Sequence, residues 1–290
     1  MPHPGWSLFG FEGIGTRWEI STPDALAAGV RNQLLGTVSA YDEVWSRFRP
    51  DSLVSSLSRS PGRITLPDHA CGLQRVYSAL YRLSGGRMTP LIGSSLERLG
   101  YDAGYTLATS GSPQAPPQWE GTLEWTGREL MVTKPVVLDV GAAGKGQLVD
   151  LLGEVLRASG HTDFLVDGSG DMLHAGTHPV VVALEHPYNP KQAIGTVELA
   201  NSALCASASN RRAWGDGLHH VLDGATGRPI QTTVATWTMA ASALEADALA
   251  TALFMMEPGP LEDEFEFSWL KVSSAGAATY SAVFEGRLFS

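Results

Sequence analysis

An α+β fold with an antiparallel sheet is the fold class this sequence predicts, and three observations predict it. Segments of helical periodicity and segments of alternating apolar and polar residues come in blocks. The candidate strands are short and end in Gly-, Asp- and Pro-containing turns, which suits hairpins. Only one strand–turn–helix unit is recognisable, whereas a doubly wound parallel sheet needs several. At 290 residues and 43% apolar content the chain can bury a full core. That length allows a single domain over 1–290 or two intimate subdomains interleaved within it.

The elements follow in order. Residues 9–20 read as a hairpin around Gly13 and Gly15. Thr22-Pro23-Asp24 reads as a helix start with proline in the first helical position. That helix is expected to reach about Arg47, with Leu26, Val30, Leu34, Leu35, Val38, Tyr41 and Val44-Trp45 on its apolar side. Arg49-Pro50-Asp51-Ser52 is a turn. A second helix is expected over 68–84, stopped by Gly85-Gly86, and a shorter one over 90–99. Residues 123–125 and 129–132 read as strands about Thr126-Gly127. Residues 136–140 read as a buried strand entering a glycine-rich turn. A helix then opens with Leu148, Val149, Leu151, Leu152, Val155 and Leu156 at helical spacing. Strands are expected at 164–167, 180–184, 196–199 and 233–239. Ser242 and Glu245 have capping-box spacing and open a helix to about Met256. Residues 267–272 and 279–284 read as a final hairpin.

Composition excludes several function classes. A net charge of -10 argues against general nucleic-acid binding. No apolar run is long enough to span a bilayer. The start, Met1-Pro2-His3-Pro4-Gly5-Trp6, has neither a basic segment nor an apolar one after it, so a soluble cytoplasmic protein is expected. Cys71 and Cys205 fit no metal spacing and are expected to be reduced, buried thiols. The tryptophans form no stripe suited to stacking on bases.

Four segments carry candidate chemistry. The turn Gly141-Ala142-Ala143-Gly144-Lys145-Gly146 lies between the expected strand and helix. Free N–H groups and the positive end of a helix dipole at such a place suit an anion, and a structural tight turn is the alternative. Its glycine order, G-x-x-G-x-G, is not that of a dinucleotide-binding fingerprint, and Gly146 after Lys145 breaks the P-loop pattern. Asp247 and Thr251 are four apart on one helix face. One carboxylate with one hydroxyl suits Mg²⁺, whose other positions stay with water or substrate phosphate; a locally bonded Asp is the alternative. His219 and His220 precede a short apolar stretch and the turn Asp223-Gly224-Ala225-Thr226-Gly227, where a general base or a solvent-facing histidine are both open. Ser207 to Arg212 offers hydroxyls and guanidinium groups to a phosphate, or is a surface loop. Arg47, Arg49 and Arg87 read as structural or surface charges, and His3, His69, His161, His174, His178 and His186 have no partner spacing.

Taken in this order, the segments resemble the ApbE-type FAD:protein FMN transferase family over nearly the whole chain. Ile14-Gly15-Thr16 is similar to its Met-Gly-Thr element, and Trp45 through Ser52 to its Phe-Ser-Arg-Phe-Arg-Pro-Asp-Ser element. Asp139 through Asp150 resembles its Asp-Leu-Gly-Gly-Ile-Ala-Lys-Gly signature, and Asp167 through Asp171 its Asn-Ala-Gly-Gly-Asp element. His220 through Pro229 resembles its His-Ile-Ile-Asp-Pro-x-Thr-Gly-x-Pro element, and Ala246 through Leu253 matches its Ala-Asp-Ala-Leu-Ala-Thr-Ala-Leu element without change. The chain departs from the pattern at Ile14, Thr89, Gly144, Asp167, Ala208 and Gly224.

The resemblance implies a T-fold-like α+β architecture with FAD held between two subdomains. It implies transfer of FMN from FAD to a Thr or Ser hydroxyl of an acceptor protein, with release of AMP. Asp247, Thr251 and the carbonyl of Gly144 would hold Mg²⁺, and His220 would be the base. FAD would be bound by Ile14, Gly15, Thr16, Asp139, Gly141, Lys145, Gly170, Asp171, Ser207, Arg211, Asp223 and Thr226. Hydrolysis of FAD to FMN and AMP, or FAD binding without turnover, are the alternatives within the same likeness. A nicotinamide-dependent dehydrogenase built on the glycine turn is a remoter one. No nucleic acid and no membrane insertion are expected.

Overall fold

Ile14 and Gly15 both lie in the left-handed region, with φ of 42° and 74°, and reverse the chain between two paired strands. The structure, a computed structural model, describes residues 5–289. His3 and the first residues of the N-terminal segment lie outside the described residues. The hairpin strands are β1 (Ser7–Gly13) and β2 (Thr16–Thr22). They begin an eight-stranded sheet continued by β3 (Phe164–Asp167), β4 (Met172–Ala175), β5 (Ala203–Ala208), β6 (Thr233–Ala240), β7 (Phe267–Ser273) and β8 (Ala278–Tyr280). The strands lie across the sheet in chain order, and every neighbouring pair is antiparallel.

Period-two alternation sends the two faces of this sheet to different cores. Phe164 and Val166 belong to the core under the helices, and Leu165 between them belongs to the opposite one. Ala203 and Cys205 divide from Leu204 in the same way. The opposite core is closed by a three-stranded sheet of Val180–His186, Asn189–Leu199 and Gly286–Leu288. The larger core is covered by α1 (Ala28–Trp45), α2 (Ala70–Leu83), α3 (Gly144–Ala158) and α4 (Ala243–Met255). The α+β reading therefore holds. The parallel strand–helix–strand unit of a dinucleotide dehydrogenase is absent among the described residues.

α4 is apolar on all sides, and Glu245 is its one residue that is not buried. A helix of that kind belongs inside a protein. It packs on β5, β6, α2 and α3, and Thr236 and Thr238 of β6 donate to the carbonyls of Ala250 (2.7 Å) and Ala246 (2.5 Å). Half of the expected capping box starts it: Ser242 Oγ accepts from the Glu245 N–H at 3.2 Å, while the Glu245 carboxylate pairs with Arg75 at 2.7 Å. Among the described residues no helix is long and apolar enough to cross a membrane.

Several local expectations are corrected. Residues 136–140 alternate buried and half-buried but pair with no strand. Isolated bonds from Val136 N to Leu57 O and from Asp139 N to Pro90 O hold them extended, so an apolar run found a core without a ladder. The first helix starts at Ala28, because Thr22 is still paired to Ser7 in the sheet and Pro23 serves the turn that follows. The strands Leu123–Thr126 and Glu129–Val132 gain an unexpected third, Arg63–Thr65. A four-residue helix, Leu53–Ser56, follows the Arg49–Ser52 turn and is capped by Ser52. The last hairpin ends at Tyr280, after which the chain crosses to the smaller sheet. Cys205 is buried, but Cys71 is exposed.

The N-termini of α3 and α4 meet, and each helix supplies the other's cap. Asp247 of α4 accepts from the Gly146 N–H of α3 at 2.9 Å. Asp150 of α3 accepts from the Ala243 and Leu244 N–H groups of α4, both at 2.8 Å. Burial raises the Asp150 carboxyl to about 6 despite these two donors. Gly146 makes the approach possible: a Cβ there would strike the Ala243 carbonyl and lie 2.7 Å from Asp247 Cβ. Gly146→Ala is expected to part the helices and destabilise by about 1–3 kcal/mol. Thermal unfolding should show it as a fall of roughly 2–5 °C in Tm for a protein of this size; an unchanged Tm would contradict the packing.

Candidate active site

A cavity of about 910 Å³ opens beside this helix junction, at the upper end of the range of ligand sites, roughly 300–1,000 Å³. The hairpin tip contributes Ile14, Gly15 and Thr16, and the loop after β3 contributes Gly170. Thr16 Oγ1 donates to Ser169 Oγ at 2.8 Å and ties the two together. Asp139, Gly141, Gly144 and Lys145 line it from the glycine turn, Ser207 and Arg211 from β5 and its following turn, and Asp247 and Thr251 from α4. His220 completes the wall.

The glycine turn does not present the open row of N–H groups expected of it. Gly141 N donates to Asp139 Oδ1 at 2.7 Å, and Ala143 and Gly144 donate to the Val140 carbonyl. Gly146 N is taken by Asp247. The anion at the positive end of α3 is thus a side chain of the protein. Lys145 is ion-paired to Asp171, which is fully buried and lies behind the lysine, off the cavity wall.

Asp247 is 3% exposed, and no cationic side chain pairs with it among the described residues. Thr251, one helical turn on, shares a hydrogen bond with Ser207 Oγ at 3.2 Å. Among the described residues no group of three or more His, Cys, Asp and Glu could hold a metal. A cation here would meet the Asp247 carboxylate and the Thr251 hydroxyl as oxygen donors, with Gly144 on the same wall. That set fits a hard ion that keeps water or takes phosphate oxygens.

Arg47, read from sequence as a structural or surface charge, is buried in the cavity wall with 2% of its side chain exposed. Its Nε donates to Asp139 at 2.5 Å. Burial pushes the Asp139 carboxyl up, but Arg47 outweighs it and holds the group below the usual carboxylate range. The guanidinium lies 4.1 Å from the Phe48 ring centre and 4.9 Å from that of Tyr101. Its Nη1 and Nη2 have no hydrogen-bond partner. The signal available in sequence was a pair of aromatic residues, Trp45 and Phe48, flanking an arginine.

His220 is half-buried, and its Nδ1 has no partner. Burial first, then the charges of Arg212, His219 and Lys145, lower its pKa to about 3. The imidazole is therefore neutral at neutral pH and able to accept a proton. Asp223 and Thr226 do not line the cavity. Asp223 pairs with Arg87 at 2.9 Å and accepts from Ala225 N, and Thr226 Oγ1 accepts from Arg228 N. They build the turn beyond His220. Arg87, which also donates to the Met255 carbonyl, keeps the structural reading. Arg211 lines the cavity but pairs with Glu185 at 3.1 Å, whereas Arg212 has no ion pair among the described residues.

The sequence profile of the ApbE family matches residues 14–264, a span that holds every cavity residue named above. The chain belongs to the ApbE family. Relatives share the likeness at low identity. The FAD:protein FMN transferase of Klebsiella pneumoniae (strain 342) is 24% identical over 95% of this chain and 84% of that protein. That of Rhodobacter capsulatus is 27% identical over 83% of this chain, and the match spans about half of that protein, 49%. Among solved structures, the ApbE protein of Thermotoga maritima superposes with a TM-score of 0.83 at 21% identity, covering 97% of this chain and 99% of that one. Flavin transferase ApbE from Vibrio cholerae gives 0.77 at 18% identity, covering 95% and 96%. The fold of this ApbE family member is thus that of its solved relatives.

The histidine gives a direct check on the site's electrostatics. In the ligand-free protein the His220 ring resonances should stay flat in an NMR titration from pH 8 to pH 5. A midpoint near 6.5 would show the ring to be solvated. Because the folded pKa lies below that of free histidine, the unfolded chain takes the proton first. His220 therefore costs stability progressively as pH falls from about 6.5 towards about 3.

Proposed function

We propose that this ApbE family member is a Mg²⁺-dependent FAD:protein FMN transferase. The single observation that carries the reading is one cavity holding a neutral histidine, a lysine and an oxygen-donor set side by side. Family membership and the names of the relatives support it.

In this reading the hydroxyl oxygen of an acceptor Thr or Ser attacks the phosphorus on the FMN side of the pyrophosphate. The new P–O bond forms as the bond from that phosphorus to the bridging oxygen breaks. AMP leaves with the bridging oxygen, and the hydroxyl proton passes to His220. AMP is a stable anion as it leaves, so charge neutralisation matters more than a proton donor. Mg²⁺ held by Asp247, Thr251 and the Gly144 carbonyl would supply Lewis-acid stabilisation of that charge. Lys145, kept in place by Asp171, adds a fixed positive charge. Two of the causes that depress His220, the charges of Arg212 and Lys145, are offset when a diphosphate enters, so the bound substrate strengthens the base.

Incubation with FAD, Mg²⁺ and a threonine-bearing acceptor protein should give an acceptor adduct with the added mass of FMN, together with free AMP. FMN and AMP in solution with no adduct on any acceptor tried would favour hydrolysis of FAD. Asp247→Asn keeps the acceptor for Gly146 N–H but removes the charge, and should cost roughly two orders of magnitude or more in turnover. FAD binding measured without metal should change little. His220→Ala should spare FAD and metal binding and slow transfer by about 10²–10⁴-fold. Full activity of a folded Asp247→Asn protein would remove the metal from this reading.

A further inference from the structure

Five residues other than glycine have a left-handed backbone among the described residues, and four of them, Ile14, Tyr105, Leu107 and Ser169, line the cavity. That conformation is costly for a bulky side chain and persists only where the surroundings impose it. Ile14 turns the hairpin, and Ser169 is bonded to its tip through Thr16. Tyr105 (φ 47°) and Leu107 (φ 51°) join no paired strands and lie in segment 101–108, outside any helix or strand. Asp102 fixes that segment. Its carboxylate accepts from the N–H groups of Gly104 (2.9 Å) and Thr106 (3.1 Å) and from the Thr106 hydroxyl (2.6 Å). The Leu107 N–H donates to the Gly100 carbonyl at 2.9 Å, and the Tyr105 ring stacks on Phe48. Folding does not bury what is held there: Tyr105 is 50% exposed and Leu107 47%.

We propose that Tyr105 and Leu107 are a docking rim for the acceptor polypeptide, and that they take an apolar side chain close in sequence to the hydroxyl residue being modified. The inference rests on the transferase reading and names where its protein substrate rests. Three features select that partner. Tyr105 and Leu107 are the only large apolar residues, among those described, that are exposed and also line the cavity. Asp247, Thr251 and Ser207 of the same wall are buried, so polar groups form the floor and an apolar pair stands at the mouth. A polypeptide cannot enter a cavity of about 910 Å³ whole; a short extended stretch carries the hydroxyl to His220, and the residues beside it stay on the rim. The pair is also held in place before any partner arrives, so contact with it orders little more of the chain and more of that contact appears as affinity. FAD is the other molecule that could cover the pair, but in this reading its pyrophosphate goes to the buried floor.

The test uses FAD-loaded protein without Mg²⁺, so that nothing turns over, and two short synthetic peptides with a central threonine. One has a pair of leucines on each side of the threonine; the other has serines at those positions, and both are otherwise glycine and serine. The leucine peptide should bind about tenfold more tightly by fluorescence anisotropy, the size expected when one leucine is half-buried. Leu107→Asn, in which asparagine tolerates the left-handed backbone, should remove that difference and leave FAD affinity within about threefold. With photoreactive diazirine-leucine in the peptide, ultraviolet light should cross-link the unsubstituted protein within 101–108. This arm decides the matter even where Leu107→Asn fails to fold. Equal binding of the two peptides, no binding of either, or cross-links only elsewhere overturns the inference and leaves the transferase reading standing. So does a Leu107→Asn protein that keeps the peptide preference, or one that loses FAD, which would show the dinucleotide to cover the pair. An unsubstituted protein that does not bind FAD overturns both.

Discussion

The exchange of carboxylates between α3 and α4 is the constraint on which the rest of the site depends. Two helix N-termini placed side by side bring two positive dipole ends together, which is unfavourable without negative charge between them. Asp150 and Asp247 supply it reciprocally, each from the second turn of its own helix to the first turn of the other. The contact needs a glycine at 146, because the Ala243 carbonyl occupies the space of a side chain. Lys145 and Gly144 are thereby set beside Asp247 and Thr251, and β6 holds α4 in register through Thr236 and Thr238.

The cations around the cavity are mostly spoken for before any ligand arrives. Arg47 has Asp139, Lys145 has Asp171 and Arg211 has Glu185. These pairs orient their bases and restrain them, which matters more at a binding site than the net strength of each pair. Arg212 is without an ion pair among the described residues, and it is among the charges that keep His220 neutral.

Much of this was legible in the chain. The hairpin around Gly15, the strand at 164–167 and the capped helix after Ser242 follow from turn chemistry and periodicity. The ordered motifs pointed to the right family and to most of the residues that meet in the cavity, though Asp171, Asp223 and Thr226 lie off its wall. The stretch 136–140 was misread because a buried extended segment and a buried strand share one pattern; only partners for its N–H and C=O groups distinguish them. For Arg47 the sequence left a structural and a surface charge both open, because an arginine among polar and aromatic neighbours carries no mark of the carboxylate it will meet 92 residues later; the structural reading is the one the buried pair supports.

The sequence by itself determined the fold class, the Asp247–Thr251 spacing on one helix face, and the glycine at 146, since each is a property of local periodicity or of a missing side chain. Tertiary structure alone decided which donors remained open. It filled the expected anion site at α3 with Asp247, moved Asp171 behind Lys145 and Asp223 and Thr226 off the wall, and left two buried nitrogens of Arg47 without a hydrogen-bond partner. The physical reason is that hydrogen-bond satisfaction is settled between elements far apart in the chain, where each donor takes whichever acceptor the packing brings within reach.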